Sequence, residues 1–112
     1  MISLVYFGTH DFSATILETL LTSGLFNVKL VITQPDRPVG RKKVIQSSPI
    51  KILAQKYDLP ISQPETLKGY LINSPADLNI VCQYGLIIPK TILESGKYGS
   101  INVHTSLLPK YR

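Results

Sequence analysis

Residues 2–33 read ISLVYFGTHDFSATILETLLTSGLFNVKLVIT, and this stretch decides the fold of the chain. Its opening ISLVYF is mostly apolar and predicts a buried strand, and its closing VKLVIT is rich in β-branched residues and predicts another. Between them, apolar residues recur at helical spacing, with Thr9 or Asp11 as the N-cap and Gly24 at the end. A strand, a helix and a strand within about thirty residues form a βαβ unit, which requires parallel strands. The stretch therefore predicts an α/β domain.

The rest of the chain continues this alternation of strands and helices. Ser48 and Pro49 suit the N-cap and the first turn of a helix. Cys82, the only cysteine, lies in an apolar run typical of a buried strand, which favours a structural thiol over a catalytic one. We expect a Rossmann-like, mainly parallel sheet with flanking helices. Its later elements are predicted, in chain order, as a helix over 49–57, a short extended piece over 59–61, a weak helix over 65–71, a strand over 78–83, a short helix over 89–93 and a strand over 100–104.

Length and composition restrict the class of protein. The 112 residues suffice for one small domain, and 44% hydrophobic with 17% charged residues is ordinary globular composition. No apolar run reaches the roughly 18 residues of a membrane span, and the first basic residue, Lys29, comes too late for a signal peptide. We therefore expect a cytoplasmic protein that does not enter the membrane.

The net charge of +5 is concentrated in one part of the chain. Residues 36–56 hold six of the twelve Lys and Arg residues and a single acid, Asp36. Within them, residues 34–48 form a connection rich in Pro, Gly and basic residues, which we expect to be long and poorly structured. On composition alone a solvated face is the favoured interpretation, and an anion-binding element is the alternative.

A second candidate site lies near the end of the chain, where residues 100–104 read SINVH. Alternation along a strand puts Asn102 and His104 on one face, at the carboxyl end where open α/β sheets bind ligands. From the residues alone, a strand-end cap with a satisfied histidine explains the pair as well as a site does.

Two turns could also contribute to a site. The segment QYGLIIP over 83–89 has a glycine that would let backbone approach a flat ligand, although a turn packed on the core is an equal alternative. The turn FGTHDF over 7–12 is not a G-x-G-x-x-G fingerprint, so we expect no dinucleotide site there. His10 in this turn is interpreted as a surface residue rather than a ligand or base.

These motifs together resemble the 10-formyltetrahydrofolate-dependent formyltransferases, in which Asn-x-His precedes Ser-Leu-Leu-Pro and a basic and aromatic pair. The resemblance implies that Asn102 and His104 are catalytic and that a catalytic aspartate follows a few dozen residues later. Because this chain has no acid after Glu94, we expect residues 1–112 to be the N-terminal part of the catalytic domain, truncated and inactive alone. The folate-binding residues implied are Gln83, Tyr84, Gly85, Leu86, Ile87, Ser106, Leu107, Leu108 and Pro109. At the positions that His10 and Gln83 occupy in this chain, the family usually has Pro and Ala, respectively.

The segment TQPDRPVGRKK over 33–43 resembles the loop of the methionyl-tRNA formyltransferase branch, which enters the acceptor arm of initiator tRNA. The tRNA-binding residues implied are Arg37, Arg41, Lys42, Lys43 and Lys51. The resemblance implies formyl transfer from 10-formyltetrahydrofolate to initiator methionyl-tRNA, without a metal and as a monomer. A formyltransferase or formyl-folate hydrolase with another acceptor, or a non-catalytic RNA-binding module, remains the alternative.

Overall fold

The computed structural model describes residues 1–104. Its strands and helices, in chain order, are β1 (Ile2–Gly8), α1 (Asp11–Thr22), β2 (Phe26–Ile32), β3 (Arg37–Val39), β4 (Val44–Gln46), α2 (Pro49–Lys56), β5 (Ile61–Ser62), β6 (Leu78–Cys82), α3 (Lys90–Leu93) and β7 (Ser100–Asn102). Within these residues, a five-stranded parallel sheet has the order β5-β2-β1-β6-β7. The predicted Rossmann-like, mainly parallel sheet is therefore confirmed.

The strand order reverses at the boundary between β1 and β6, which are neighbours in the sheet. The chain first adds β2 and β5 on one side of β1, and then returns to place β6 and β7 on the other side. Gly8 at the end of β1 pairs with Cys82 at the end of β6. Open α/β sheets bind ligands at such a switch point, outside the carboxyl ends of the strands.

Both faces of the central strand are buried, which explains why its sequence is continuously apolar. Leu4 and Tyr6 face a core closed by α1 and α2, where Leu17 and Ala54 are fully buried. Val5 and Phe7 face a second core, whose other buried members are Ile32, Leu67, Ala76, Tyr84 and Ile92. Among the helices of residues 1–104, none is long and apolar enough to cross a membrane.

The first helix begins differently from the prediction. Its N-cap is His10, neither Thr9 nor Asp11, and the His10 side chain makes no capping hydrogen bond within the described chain. The hydroxyl of Thr9 is used elsewhere, because it donates to the carbonyl of Tyr84 at 2.8 Å. The predicted end of the helix is correct, since Gly24 follows it with φ +77°, a backbone conformation suited to glycine after a C-cap.

The second helix has the predicted N-terminus, whereas the helix expected over 65–71 is absent. Ser48 Oγ accepts from Lys51 N at 3.1 Å, with Pro49 in the first turn. Over 65–71 the chain instead makes a turn in which Tyr70 N donates to Leu67 O, with Gly69 at φ +73°. Burial of Leu67 in the second core outweighs the weak helical propensity of this segment.

Residues 34–48 are more ordered than predicted, because they contain an antiparallel hairpin of β3 and β4. The pairing joins Arg37 to Gln46 and Val39 to Val44. Lys43 N donates to Gly40 O at 3.3 Å across the turn, and Gly40 has φ +74°. Proline and glycine were therefore wrongly interpreted as signs of poor structure, since here they build a tight hairpin. We call residues 37–46 the basic hairpin.

Candidate active site

Three loops converge on one carbonyl at the carboxyl end of the sheet. Thr9, after β1, donates its hydroxyl to Tyr84 O at 2.8 Å, and Gln34, after β2, donates Nε2 to the same oxygen at 2.7 Å. Tyr84 itself follows β6. These hydrogen bonds hold the loops on both sides of the switch point in a fixed relation.

Gln83 also connects two of these loops. Its Oε1 accepts from Ser13 N in the first turn of α1 at 3.2 Å. Gln83 has φ +53°, in the left-handed region that is uncommon for residues other than glycine. A side chain about seventy residues away in sequence thus supplies a capping hydrogen bond that His10 does not. The predicted contact of Gln83 with a folate stays a prediction.

The Tyr84 side chain belongs to the core. It is 2% exposed, and its ring lies edge-on to that of Phe7 with centroids 5.6 Å apart. Burial raises the pKa of the Tyr84 hydroxyl to about 12, so the group stays neutral at physiological pH. Any contact of Tyr84 with a ligand at the sheet edge would therefore come from its backbone.

An open cleft of about 770 Å³ runs along β7, from the segment 93–99 before the strand to Asn102 at its end. Its lining includes Val81, Leu86, Ile88, Tyr98 and Asn102. Because Val81 pairs with Asn102 in the sheet, both side chains lie on the same face. The cleft thus combines an apolar wall with an exposed amide at a strand terminus.

The ladder continues one residue past β7, where Val103 N donates to Val81 O at 2.7 Å. Val103 packs against the core on the α1 and α2 side. Alternation therefore puts His104, which is exposed, on the same side as Asn102. The predicted folate residues Ser106, Leu107, Leu108 and Pro109 lie outside the described residues. Gly85 and Ile87 are exposed and flank Leu86, which lines the cleft, but neither lines it. In residues 1–104, no three His, Cys, Asp or Glu side chains are grouped closely enough to hold a metal ion.

The basic hairpin presents its cations at the tip. Arg41, Lys42 and Lys43 are all exposed and lie in or beside the turn that joins β3 to β4. Arg37 lies at the base of the hairpin, where its Nε donates to Gln34 Oε1 at 3.1 Å. The tip is thus a compact patch of positive charge beyond the carboxyl end of β2.

Lys51 is separate from this patch, because it forms an ion pair with Asp36 at 3.0 Å. The other oxygen of Asp36 accepts from Gln63 Nε2 at 2.8 Å. These two hydrogen bonds, Gln63 first, hold the pKa of the Asp36 carboxyl below its ordinary value. The contacts anchor the chain just before the hairpin to α2 and to the segment after β5.

Comparison with known proteins decides the family. The family model described as "Formyl transferase" matches residues 1–112. The chain belongs to the formyl transferase family. Among similar proteins of this family, a methionyl-tRNA formyltransferase of Caldicellulosiruptor saccharolyticus is 48% identical over 97% of the chain and 37% of its own length. One of Staphylococcus aureus is 47% identical over 100% of the chain and 37% of its own length.

A solved structure extends the comparison to the formyl transferase fold. The crystal structure of phosphoribosylglycinamide formyltransferase from Bacillus halodurans has a TM-score of 0.61, with 16% identity, over 96% of this chain and 58% of its own. At that identity the likeness concerns the fold alone. The chain spans a little over a third of the curated relatives that it matches, 37% in the first two.

Sequence reasoning missed the polar residues that organise this candidate site. The sequence pattern predicts only a helix cap for Thr9, and it predicts no role for Gln34 or Gln63. A signal was available for Gln34, since it follows a parallel strand at the carboxyl edge. Gln63 gave no such signal, because its contacts with Gln34 O and Asp36 arise only when distant segments pack together.

Proposed function

We propose that this chain forms part of an enzyme that transfers a formyl group from 10-formyltetrahydrofolate to the α-amine of initiator methionyl-tRNA. The product would be N-formylmethionyl-tRNA for translation initiation in the cytoplasm. The observation that supports this most is that Asn102, which lines the cleft, and the basic hairpin, which follows β2, both lie at the carboxyl edge of one sheet. The names and the 47–48% identity of the relatives favour the same activity.

The cleft is suited to the folate. Its volume of about 770 Å³ is within the range of roughly 300–1,000 Å³ that small-molecule sites occupy. Leu86 and Ile88 offer an apolar wall for a flat ring, and Asn102 offers a polar group at one end. Ligand sites commonly combine such an apolar lining with a few polar groups that fix orientation.

In the proposed reaction, Asn102 would act as a hydrogen-bond donor to the formyl oxygen. The amine nitrogen attacks the formyl carbon, the bond from that carbon to N10 breaks, the amine loses a proton and N10 gains one. Negative charge develops on the formyl oxygen during the attack. The Asn102 amide N–H would donate to that oxygen, and His104 would serve as a second donor or move a proton.

The tRNA would be held by the basic hairpin. Duplex RNA is recognised largely through its shape, phosphates and 2′-hydroxyls, and cations at a stiff protruding tip can reach that backbone. Arg41, Lys42 and Lys43 have the required charge and exposure, while Arg37 would contribute from the base. The enzyme would act as a monomer and use no metal.

A chimera tests this proposal, with residues 1–112 joined to the remainder of the Staphylococcus aureus relative. Asn102→Ala should lower kcat about 10²–10³-fold, the usual effect of losing one oxyanion donor. The affinity for 10-formyltetrahydrofolate should change much less, since the donor acts mainly in the transition state. Asn73→Ala, at an exposed asparagine away from the cleft, is the matched control.

Equal losses in affinity and turnover for Asn102→Ala would make Asn102 a binding or structural residue. The acceptor is tested with a panel of methionyl-tRNA, glycinamide ribonucleotide, an amino-sugar nucleotide and water. Preference for another acceptor would replace the tRNA part of the proposal. Tight binding of homopolymer RNA without any formyl transfer would favour a non-catalytic RNA-binding module.

A further inference from the structure

The Gln34 side chain connects the basic hairpin to the loop after β6. Its amide uses both ends, because Oε1 accepts from Arg37 Nε at 3.1 Å while Nε2 donates to Tyr84 O at 2.7 Å. The backbone of Gln34 is held as well, since its carbonyl accepts from Gln63 Nε2 at 3.2 Å. Gln34 is therefore fixed on three sides between two elements of the proposed site.

The loop is shaped to receive this side chain. Gly85 has φ +94°, and a Cβ placed on it would collide with Gln34 Nε2. Residues with a side chain rarely adopt that backbone conformation. Glycine at position 85 thus permits both the turn and the close approach of the amide. The next residue, Leu86, lines the cleft beside Asn102.

A charge at one end of the amide affects the hydrogen bond at the other. The Arg37 guanidinium is a charged donor, and hydrogen bonds in a chain polarise one another. An anion that engages Arg37 would reduce this polarisation or draw the guanidinium away. The hydrogen bond from Gln34 to Tyr84 O would then weaken, which leaves Thr9 as the remaining side-chain donor that the structure gives this carbonyl.

We propose that Gln34 is a positioning residue that couples the basic hairpin to the loop 83–88. Engagement of Arg37 by RNA phosphate would alter the position of Gly85 and, through Leu86, the wall of the folate cleft. The coupling itself is a property of the described contacts, and only its use during formyl transfer rests on the proposed function.

The coupling is tested without RNA by a double-mutant cycle read in amide NMR spectra of the chain. Arg37→Ala should shift the Gly85 resonance when Gln34 is present, and this shift should be lost in the Gln34→Ala background. A merely structural role for Gln34 would leave the effect of Arg37→Ala unchanged. Such an unchanged effect, or no shift at Gly85 from Arg37→Ala, would overturn the proposal.

Proteolysis gives a second readout that does not depend on resonance assignment. Removing one of two side-chain hydrogen bonds to Tyr84 O should increase local opening, so that chymotrypsin cleaves after Leu86 about two- to tenfold faster in Gln34→Ala. Gln34→Glu should also speed cleavage, because a carboxylate can hold Arg37 but cannot donate to Tyr84 O. Gln55→Ala, on the exposed side of α2, is the control. Rates equal to the control in both variants would contradict the role.

A short RNA hairpin with a single-stranded 3′ end then tests the functional use. It should shift the resonances of Arg41, Lys42 and Lys43 and, in the presence of Gln34, that of Gly85. Shifts at the tip without any at Gly85 would overturn the proposal. If the RNA shifts neither region, the RNA-binding part of the proposed function fails, while the double-mutant cycle still decides whether Gln34 couples the two elements.

Discussion

Thr33 Oγ1 lies 2.8 Å from Ser48 Oγ, which joins the residue after β2 to the N-cap of α2. The fourteen residues between them form a loop whose two ends are joined by this hydrogen bond. Ser48 Oγ is shared, because it also accepts from Lys51 N at 3.1 Å. A single hydroxyl therefore closes the base of the basic hairpin and begins the second helix.

Two substitutions can separate the helix-capping role of Ser48 from its role in closing the base of the hairpin. Ser48→Ala removes both the cap and the closure, so it should lower the free energy of unfolding by roughly 1 kcal/mol or more. Thr33→Val removes only the closure and keeps the shape of the fully buried side chain, so α2 should keep its cap. Urea unfolding gives the stabilities, and amide exchange of Ile52, whose N–H donates to Ser48 O, reports on the helix. Equal exchange at Ile52 in the two variants would show that Ser48 does not cap α2.

The Asp36 anchor should depend on pH in a defined direction. Hydrogen bonds from Gln63 and Lys51 lower the pKa of the folded-state carboxyl below the ordinary 3.8. A carboxyl with a lowered pKa stabilises the fold above its ordinary value, and this contribution is lost as the pH falls through the lower folded-state value. The base of the hairpin should thus be unaffected by pH near neutrality and loosen only in acid below 3.8.

NMR titration of the Asp36 carboxyl measures this directly. Gln63→Ala should raise the pKa of Asp36, since the amide of Gln63 is the largest of the causes that lower it. Asp36→Asn should remove the acid-dependent change in the hairpin resonances while the titration of other groups continues. An Asp36 pKa that does not move in Gln63→Ala would mean that this hydrogen bond is absent in solution.

The capping of α1 by Gln83 leads to a test by rescue. Gln83→Ala should destabilise the chain by roughly 0.5–2 kcal/mol, the usual effect of losing a cap, because Ser13 N loses its acceptor. His10 already has the extended backbone of an N-cap residue, with φ −94° and ψ 179°. His10→Ser should therefore supply a local acceptor and restore most of the stability in the Gln83→Ala background. If His10→Ser stabilises both backgrounds equally, Gln83 does not cap this helix.

The sequence predicted the parallel sheet well, because β1, β2 and β6 have the mostly apolar pattern that burial on two faces requires. The apolar run at 2–7 and the cap at Ser48 are local signals, and both predictions were correct. The N-terminus of α1 shows the limit of such signals. His10 is the N-cap, because the Thr9 hydroxyl donates to Tyr84 O and the distant Gln83 side chain accepts the hydrogen bond from Ser13 N that a local cap would accept.

The site was predictable in the same uneven way. Alternation correctly predicts that Asn102 and His104 lie on one side at the end of the last strand, while their catalytic role stays a prediction. The linking role of Gln34 has no such local signal, since Arg37 is three residues away in sequence but Tyr84 is fifty residues away. The glycine-containing motif around Tyr84 predicts a folate contact, which stays a prediction, whereas the burial of its ring depends on the second core and has no local signal in the sequence.

The tip of the basic hairpin and Lys51 should differ in their effect on RNA binding. Arg41→Ala and Lys43→Ala should each weaken binding of a short RNA hairpin, and the logarithm of affinity should depend less steeply on salt, by about one unit per lost phosphate contact. Lys51→Ala removes a cation already paired with Asp36. It should therefore weaken binding through a displaced hairpin base, with little change in the salt slope.

The measurement is a set of binding titrations at several salt concentrations, with Lys68→Ala, an exposed lysine in another part of the chain, as the control for loss of charge. Lys68→Ala should leave both affinity and slope nearly unchanged. Binding of 10-formyltetrahydrofolate should be the same in all four variants, because none of these lysines or Arg41 lines the cleft. If Lys51→Ala reduced the salt slope as much as Lys43→Ala does, Lys51 would contact phosphate directly, and its ion pair with Asp36 would break when RNA binds. Unchanged binding in Arg41→Ala and Lys43→Ala would instead make the tip a solvated surface.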